Sequence, residues 1–233
     1  MKTETPRLPN DHERITIVGR TGSGKTLAAL WHLSRRRFDR LPWVILDTKG
    51  DEHIERLTDE GIAQEIDFSW RPRSGGALRR PTRGIFVLRP LPKESAELNE
   101  FLWAIWEHGA VGVYVDEGYM VGKSDAFDAI LTQGRSLRIP VILLSQRPVW
   151  LTRFAFSEAD YFQVFHLTDT RDHDTVQSFA PLRLEKRLPR YHSWYYDVKR
   201  DRKVLFRPVP GEDDLMAAIE EKTRKELPRR RAI

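Results

Sequence analysis

Gly19-Arg20-Thr21-Gly22-Ser23-Gly24-Lys25-Thr26 decides how this chain is read. The octet matches G-x-x-x-x-G-K-[ST] in full, and it lies between an apolar run, Ile15–Val18, and a helical pattern that opens at Lys25. Its glycines let the backbone wrap phosphate groups without Cβ clashes. The free N–H groups and the positive end of the following helix attract the same groups. Lys25 is placed to reach the β- and γ-phosphates, and the Thr26 hydroxyl to ligate Mg²⁺, so ATP and Mg²⁺ are the expected cofactors.

On either side of this loop the sequence alternates between strand and helix patterns. Near-continuous apolar runs at 14–19, 43–48, 84–89, 111–116, 141–145 and 161–167 predict strands buried on both faces. Helical patterns occupy 25–36, 94–108 and 125–135. In the second of these, Leu98, Phe101, Leu102, Ile105 and Trp106 form one apolar stripe. The expected fold is α/β, a P-loop NTPase with a mainly parallel central sheet flanked by helices. A β-hairpin is expected from 192–198 and 203–208, and a final amphipathic helix from 212–227. Residues 1–13 read as a flexible arm, 14–210 as the ATPase domain including the hairpin, and 211–233 as a helix with a basic tail.

Composition narrows the function classes. The 233 residues include 39 Lys and Arg against 34 Asp and Glu, a formal net charge of +5 that suits a polyanionic partner. With no cysteine, there is no disulfide framework, thiolate metal site or cysteine nucleophile. The seven histidines are scattered without metal-ligand spacing. No apolar run is long enough to span a membrane, and no signal peptide is evident. The seven tryptophans are expected in core and interface positions.

A second acidic site follows the strand at 111–115. Asp116 at its end is expected to hold Mg²⁺ through water, and Glu117 to act as general base on the attacking water. Two strand signals separate the phosphate loop from this pair in sequence. Glu117 directly after Asp116 favours the additional-strand, catalytic-Glu type of P-loop ATPase over the kinase-like type. The strand at 141–145 ends at Gln146-Arg147-Pro148, and Gln146 is a candidate sensor of the γ-phosphate.

GRTGSGKT at 19–26, DTKGD at 47–51, VYVDEGYM at 113–120 and GRSLRIPVILLSQRP at 134–148 together resemble the FtsK–HerA superfamily of DNA-pumping ATPases. The resemblance spans roughly residues 14–167. It implies that Arg135 is an arginine finger serving a neighbouring subunit, with Arg138 as its rival, and that Gln146 is the sensor. The implied assembly is a homo-oligomeric ring, most readily a hexamer. The chain lacks the extra domains of FtsK, HerA and conjugative coupling proteins. Its size resembles the genome-packaging ATPases of tectivirus-like, internal-membrane phages. That likeness implies packaging of double-stranded DNA into a preformed capsid, with capsid vertex proteins as partners and the host cytoplasm and packaging vertex as locations.

DNA contacts are expected from two basic segments. Residues 71–93 hold seven basic residues and no acid, among them Arg79, Arg80 and Arg83. This stretch suits either DNA or the acidic surface of a neighbouring subunit. The hairpin tip carries Lys199, Arg200, Arg202 and Lys203. Other readings are a conjugative or HerA-like pump, a phage-assembly ATPase acting on protein, and a P-loop kinase.

Overall fold

A computed structural model describes residues 6–75 and 81–226. In chain order the elements are β1 (Ile15–Val18), α1 (Lys25–Ser34), β2 (Trp43–Leu46), α2 (Glu52–Asp59), β3 (Gln64–Ile66), β4 (Ile85–Leu88), α3 (Ser95–His108), β5 (Gly112–Val115), α4 (Asp125–Gln133), β6 (Val141–Ser145), α5 (Phe154–Ser157), β7 (Tyr161–Val164), α6 (Thr170–Gln177), β8 (Ser193–Asp197), β9 (Arg202–Phe206) and α7 (Glu212–Glu226). One sheet holds them in the order β3-β4-β2-β5-β6-β1-β7-β8-β9. It is parallel from β3 to β7, and only the hairpin strands β8 and β9 run antiparallel.

The apolar runs become buried strands for the expected reason. β1, β2, β4, β5, β6 and β7 are buried along their whole length because helices cover both faces. Alternate side chains feed two cores. Val44, Leu46, Val113 and Val115 join α3, α4 and Val176 of α6 on one face. Trp43, Ile45 and Tyr114 join α1, Ile54 and Leu57 of α2, and Met216 and Ile219 of α7 on the other. Gly112 leaves room on β5 for the buried Trp43 ring, since a Cβ there would lie 2.3 Å from it. Side-chain caps start three helices: Asp51 on α2, Ser124 on α4 and Asp169 on α6.

Several expectations need correction. Three strands, not two, separate β1 from β5 in sequence; the unanticipated one is β3, a three-residue edge strand with exposed Gln64 and Glu65. In the sheet a single strand, β6, lies between β1 and β5, which is the additional-strand arrangement. The helix expected over 125–135 stops at Gln133, so Arg135 lies in the turn that leads to β6. The described part of the N-terminal arm is tied to the body: the Tyr195 hydroxyl donates to the Arg7 carbonyl at 2.9 Å, and Arg7 pairs with Glu13 at 2.8 Å. Most tryptophans do pack in or against the cores, but Trp150 is 57% exposed. Among the described residues no helix is long and apolar enough to cross a membrane.

Candidate nucleotide site

The phosphate loop bridges β1 and α1, as its spacing requires. Gly24 is the residue before α1 and has φ 95, a left-handed backbone that suits glycine. It leaves the first N–H groups of the helix without a side-chain cap, turned to the loop's concave side. A cavity of about 800 Å³ opens there and gathers Thr21, Lys25, Thr26, Lys49, Asp116 and Gln146. Lys25 is buried and donates to the Arg20 carbonyl at 3.0 Å. Desolvation lowers its pKa to about 8, although Glu117 opposes the shift. The ammonium thus retains most of its charge near neutrality.

Parallel strands place the other groups beside the loop. Asp116 and Glu117 leave β5, and Gln146 leaves β6, at the same end of the sheet as the loop after β1. The Thr21 hydroxyl donates to Gln146 Oε1 at 2.7 Å, joining the candidate sensor to the loop. Thr26 Oγ1 donates to Asp51 Oδ2 at 3.1 Å. Asp116 is buried and accepts no hydrogen bond from a described residue. Burial first, and the nearby Asp51 second, push its pKa up to about 7. Asp116, Asp51 and the Thr26 hydroxyl, gathered in one cavity, are oxygen donors that fit a hard divalent cation. Thr26 and Asp116 could hold such an ion, with Asp51 bonded to the Thr26 hydroxyl.

The raised Asp116 pKa sets a pH dependence. The folded chain keeps a proton on Asp116 that the unfolded chain releases near the usual 3.8. The resulting stability is fully present below that value and is lost as pH rises through about 7. A cation bound at Asp116 must displace this proton. Thermal stabilisation by Mg²⁺ with nucleotide is therefore expected to be larger at about pH 8 than at about pH 6. Equal shifts in unfolding temperature at the two pH values would remove Asp116 from the metal site.

Glu117 differs from the open carboxylate expected of a base. It is fully buried. Its carboxylate pairs with Lys49 and accepts from Ser145 Oγ at 2.6 Å and from the Gln146 N–H at 3.0 Å. In the sequence Lys49 stands out only as part of the 47–51 segment, with no role attached to it. That segment is a compact device. Asp47 accepts from the Gly50 and Asp51 N–H groups, Gly50 takes φ 70, and the turn presents Lys49 to Glu117 while Asp51 caps α2. The unusual D-x-K-G-D order was the available signal.

Arg135 sits elsewhere. Its guanidinium pairs with Asp160 at 2.9 Å, and the other Asp160 oxygen accepts from the Arg14 N–H at 2.9 Å. Arg14 precedes β1 and Asp160 precedes β7, so Arg135 lies at the end of the sheet opposite the phosphate loop. Arg138, at φ 58 in the same turn, is exposed and makes no side-chain contact among the described residues. The hairpin tip and Arg83 also fall at this end, because β8 runs against β7 and Arg83 precedes β4. Arg200 there pairs with Asp197, and Lys203 donates to the Pro181 carbonyl, whereas Arg83 and Lys199 are exposed. Arg202 is half-buried at the base of the tip. Arg79 and Arg80 lie outside the described residues.

A strand between those of the phosphate loop and of the acidic pair, with the polar Gln146 at its tip, defines an additional-strand P-loop ATPase. The fold recurs in the DNA-packaging ATPase B204 of Sulfolobus turreted icosahedral virus, at TM-score 0.63 and 19% identity, over 87% of this chain and 100% of that one. It recurs also in VirB4 of Thermoanaerobacter pseudethanolicus, at TM-score 0.62 and 10% identity, over 85% of this chain and 89% of that one. No protein-family model matches the chain. The DNA packaging ATPase P9 of Enterobacteria phage PRD1 is 47% identical over 228 residues, covering 93% of this chain and 96% of that protein. The chain belongs to the family of that packaging ATPase.

Proposed function

We propose that this chain is the ATP-driven motor that moves double-stranded DNA into a preformed viral capsid, working as a homo-oligomeric ring, most simply a hexamer. The observation that carries this reading is near full-length identity of 47% to a DNA packaging ATPase, joined to a cavity that gathers Lys25, Thr26, Asp116 and Gln146. Capsid vertex proteins are the expected partners, and the host cytoplasm and packaging vertex the expected locations.

The loop at 19–26 binds the triphosphate, and Lys25 exchanges its bond to the Arg20 carbonyl for the β- and γ-phosphates. Mg²⁺, when bound, would supply positive charge against the charge that develops during transfer. Thr26 and Asp116 would hold it, the Thr26 hydroxyl giving up its bond to Asp51. Glu117 takes the proton of the attacking water. To act, its carboxylate must leave Lys49, Ser145 and the Gln146 N–H. Gln146 touches both Thr21 and Glu117, so it links the state of the phosphate end to the base. The buried Glu117 is thus a resting arrangement, and hydrolysis awaits its rearrangement.

DNA would be held by phosphate contacts without base readout, so binding should be sequence-independent and steeply salt-dependent. Arg83 and Lys199, exposed at the same end of the sheet and unpaired among the described residues, are candidates for this role. Filter binding to duplex DNA over a salt series tests it. Replacing both with Ala is expected to lower the slope of log K against log[salt] by up to about 2 if each touches a phosphate. An unchanged slope would put the DNA surface elsewhere. Turnover stimulated by duplex DNA and not by nucleoside monophosphates separates the motor from a kinase.

A further inference from the structure

The phosphate loop accounts for one part of its cavity. Gln146 and Asp116 mark the end for the γ-phosphate, and they follow β6 and β5, on one side of β1. The cavity continues to the other side of β1. There Phe165 follows β7 and Tyr191 lies ahead of β8. The connection from β9 to α7, Arg207-Pro208-Val209-Pro210-Gly211, also lines it. That connection is anchored on the far side. Glu212 at the start of α7 pairs with His53 at 3.0 Å, and Asp213 pairs with Arg56 at 2.7 Å, both partners on α2. A strap therefore crosses from the hairpin edge of the sheet to α2, along the cavity.

Tyr191 is held as a platform. Its backbone is left-handed at φ 61, an unfavourable state for a bulky residue. Arg190 lies 4.6 Å from its ring centroid. A Cβ at Gly24 would come 3.3 Å from the ring, so the ring rests against the phosphate loop itself. Despite these braces it remains 42% exposed. The strap adds two prolines, which present flat apolar rings and have no N–H to donate. Phe165, Tyr191, Pro208, Val209, Pro210 and Gly211 thus form an apolar-walled slot; Arg207 at the start of the strap also lines the cavity, as does Gln163, whose amide is already bonded to His32 and Ser193.

We propose that this slot holds the nucleoside base, stacked on Tyr191 under the Pro208–Pro210 strap, and that it reads the base by shape and stacking and not by hydrogen bonds to its edges. The inference rests on reading the loop at 19–26 as the triphosphate site. An apolar slot separates similar ligands by roughly 10- to 200-fold, whereas sites that hydrogen-bond the distinguishing group reach about 10⁴- to 10⁵-fold. ATP and GTP should therefore differ little here.

The test uses the full chain and three ligands: ATP, GTP and inorganic triphosphate, which has no base. Calorimetric affinities are measured for the parent, Tyr191→Ala and Tyr191→Phe. Tyr191→Ala should weaken ATP by roughly 5- to 150-fold, the range for losing one base–aromatic stack. Its affinity for inorganic triphosphate should equal the parent's, and its KM for ATP should rise while kcat holds. Tyr191→Phe should keep parent affinity, and the parent should bind GTP within roughly 200-fold of ATP. Unchanged ATP affinity in Tyr191→Ala would overturn the proposal. So would an equal loss for inorganic triphosphate, since Tyr191 would then act through Gly24 on the phosphate loop. A wider gap between ATP and GTP would overturn shape-only reading. Failure of the underlying assignment has a separate signature: Lys25→Ala would then leave inorganic triphosphate binding intact.

Discussion

Lys25→Ala is expected to abolish ATP turnover, with a loss on the order of 10³-fold or more. The side chain lies in the loop, buried, with its ammonium bonded only to a backbone carbonyl. It is the one lysine among the eight residues of the phosphate loop, and no neighbour on α1's first turn can replace its charge. The charge that builds on the β–γ bridge during hydrolysis would then lack a partner in a desolvated site, where such a partner matters most. Glu117→Gln is the informative contrast. It removes the base but preserves the shape of a fully buried side chain that accepts from Ser145 and the Gln146 N–H. It should bind ATP and fail to release phosphate. Nucleotide binding and phosphate release, measured on both variants, separate the roles. Parent-rate hydrolysis by Glu117→Gln would strip Glu117 of its assignment.

Arg135→Ala should lower turnover by roughly 10³- to 10⁵-fold under ring-forming conditions, the range for an arginine supplied in trans. Its position gives the reason. Arg135 pairs with Asp160 at the end of the sheet opposite the phosphate loop and is 55% exposed, so it cannot serve its own nucleotide. In a head-to-tail ring that end can face the next subunit's loop. A purely structural Arg135, holding Asp160 beside Arg14, is the competing account. Mixing decides between them. Arg135→Ala subunits keep a complete pocket but no donor; Lys25→Ala subunits keep the donor but no pocket. Mixed rings contain some interfaces with both parts, so two inactive preparations should together regain turnover. If Arg135→Ala alone turns over ATP normally, the finger passes to Arg138, whose side chain is exposed in the same turn and unpaired among the described residues.

Most of the parallel sheet was legible because its buried strands are short, mostly apolar and bounded by turn residues, which is what burial between two helical layers demands. The phosphate loop, Asp116 and Gln146 were legible for a related reason: in a parallel sheet, residues just after each strand converge at one end. β3 was not legible. Gln64, Glu65 and Ile66 carry no strand pattern, and they pair with β4 only because the edge is open. α2 was not legible although Asp51 caps it, because its eight residues carry only two apolar ones, Ile54 and Leu57, too few to set a helical period. Tyr191 and the strap were beyond sequence reasoning. They reach the cavity only through the hairpin's return and the packing of α7 on α1, contacts between residues more than 150 positions apart. Glu117 was identified by its place after Asp116, but its buried pairing with Lys49 depends on the neighbouring strand β2.

The central claim is that this chain converts ATP hydrolysis into movement along duplex DNA. Displacement of a triplex-forming oligonucleotide from one end of a linear duplex tests it directly, because a motor must strip the third strand as it passes. The parent chain is expected to release the oligonucleotide with ATP and Mg²⁺ and not with a non-hydrolysable analogue, and Lys25→Ala is expected to release none. DNA-stimulated ATP turnover with no release, or equal release without hydrolysis, would contradict it.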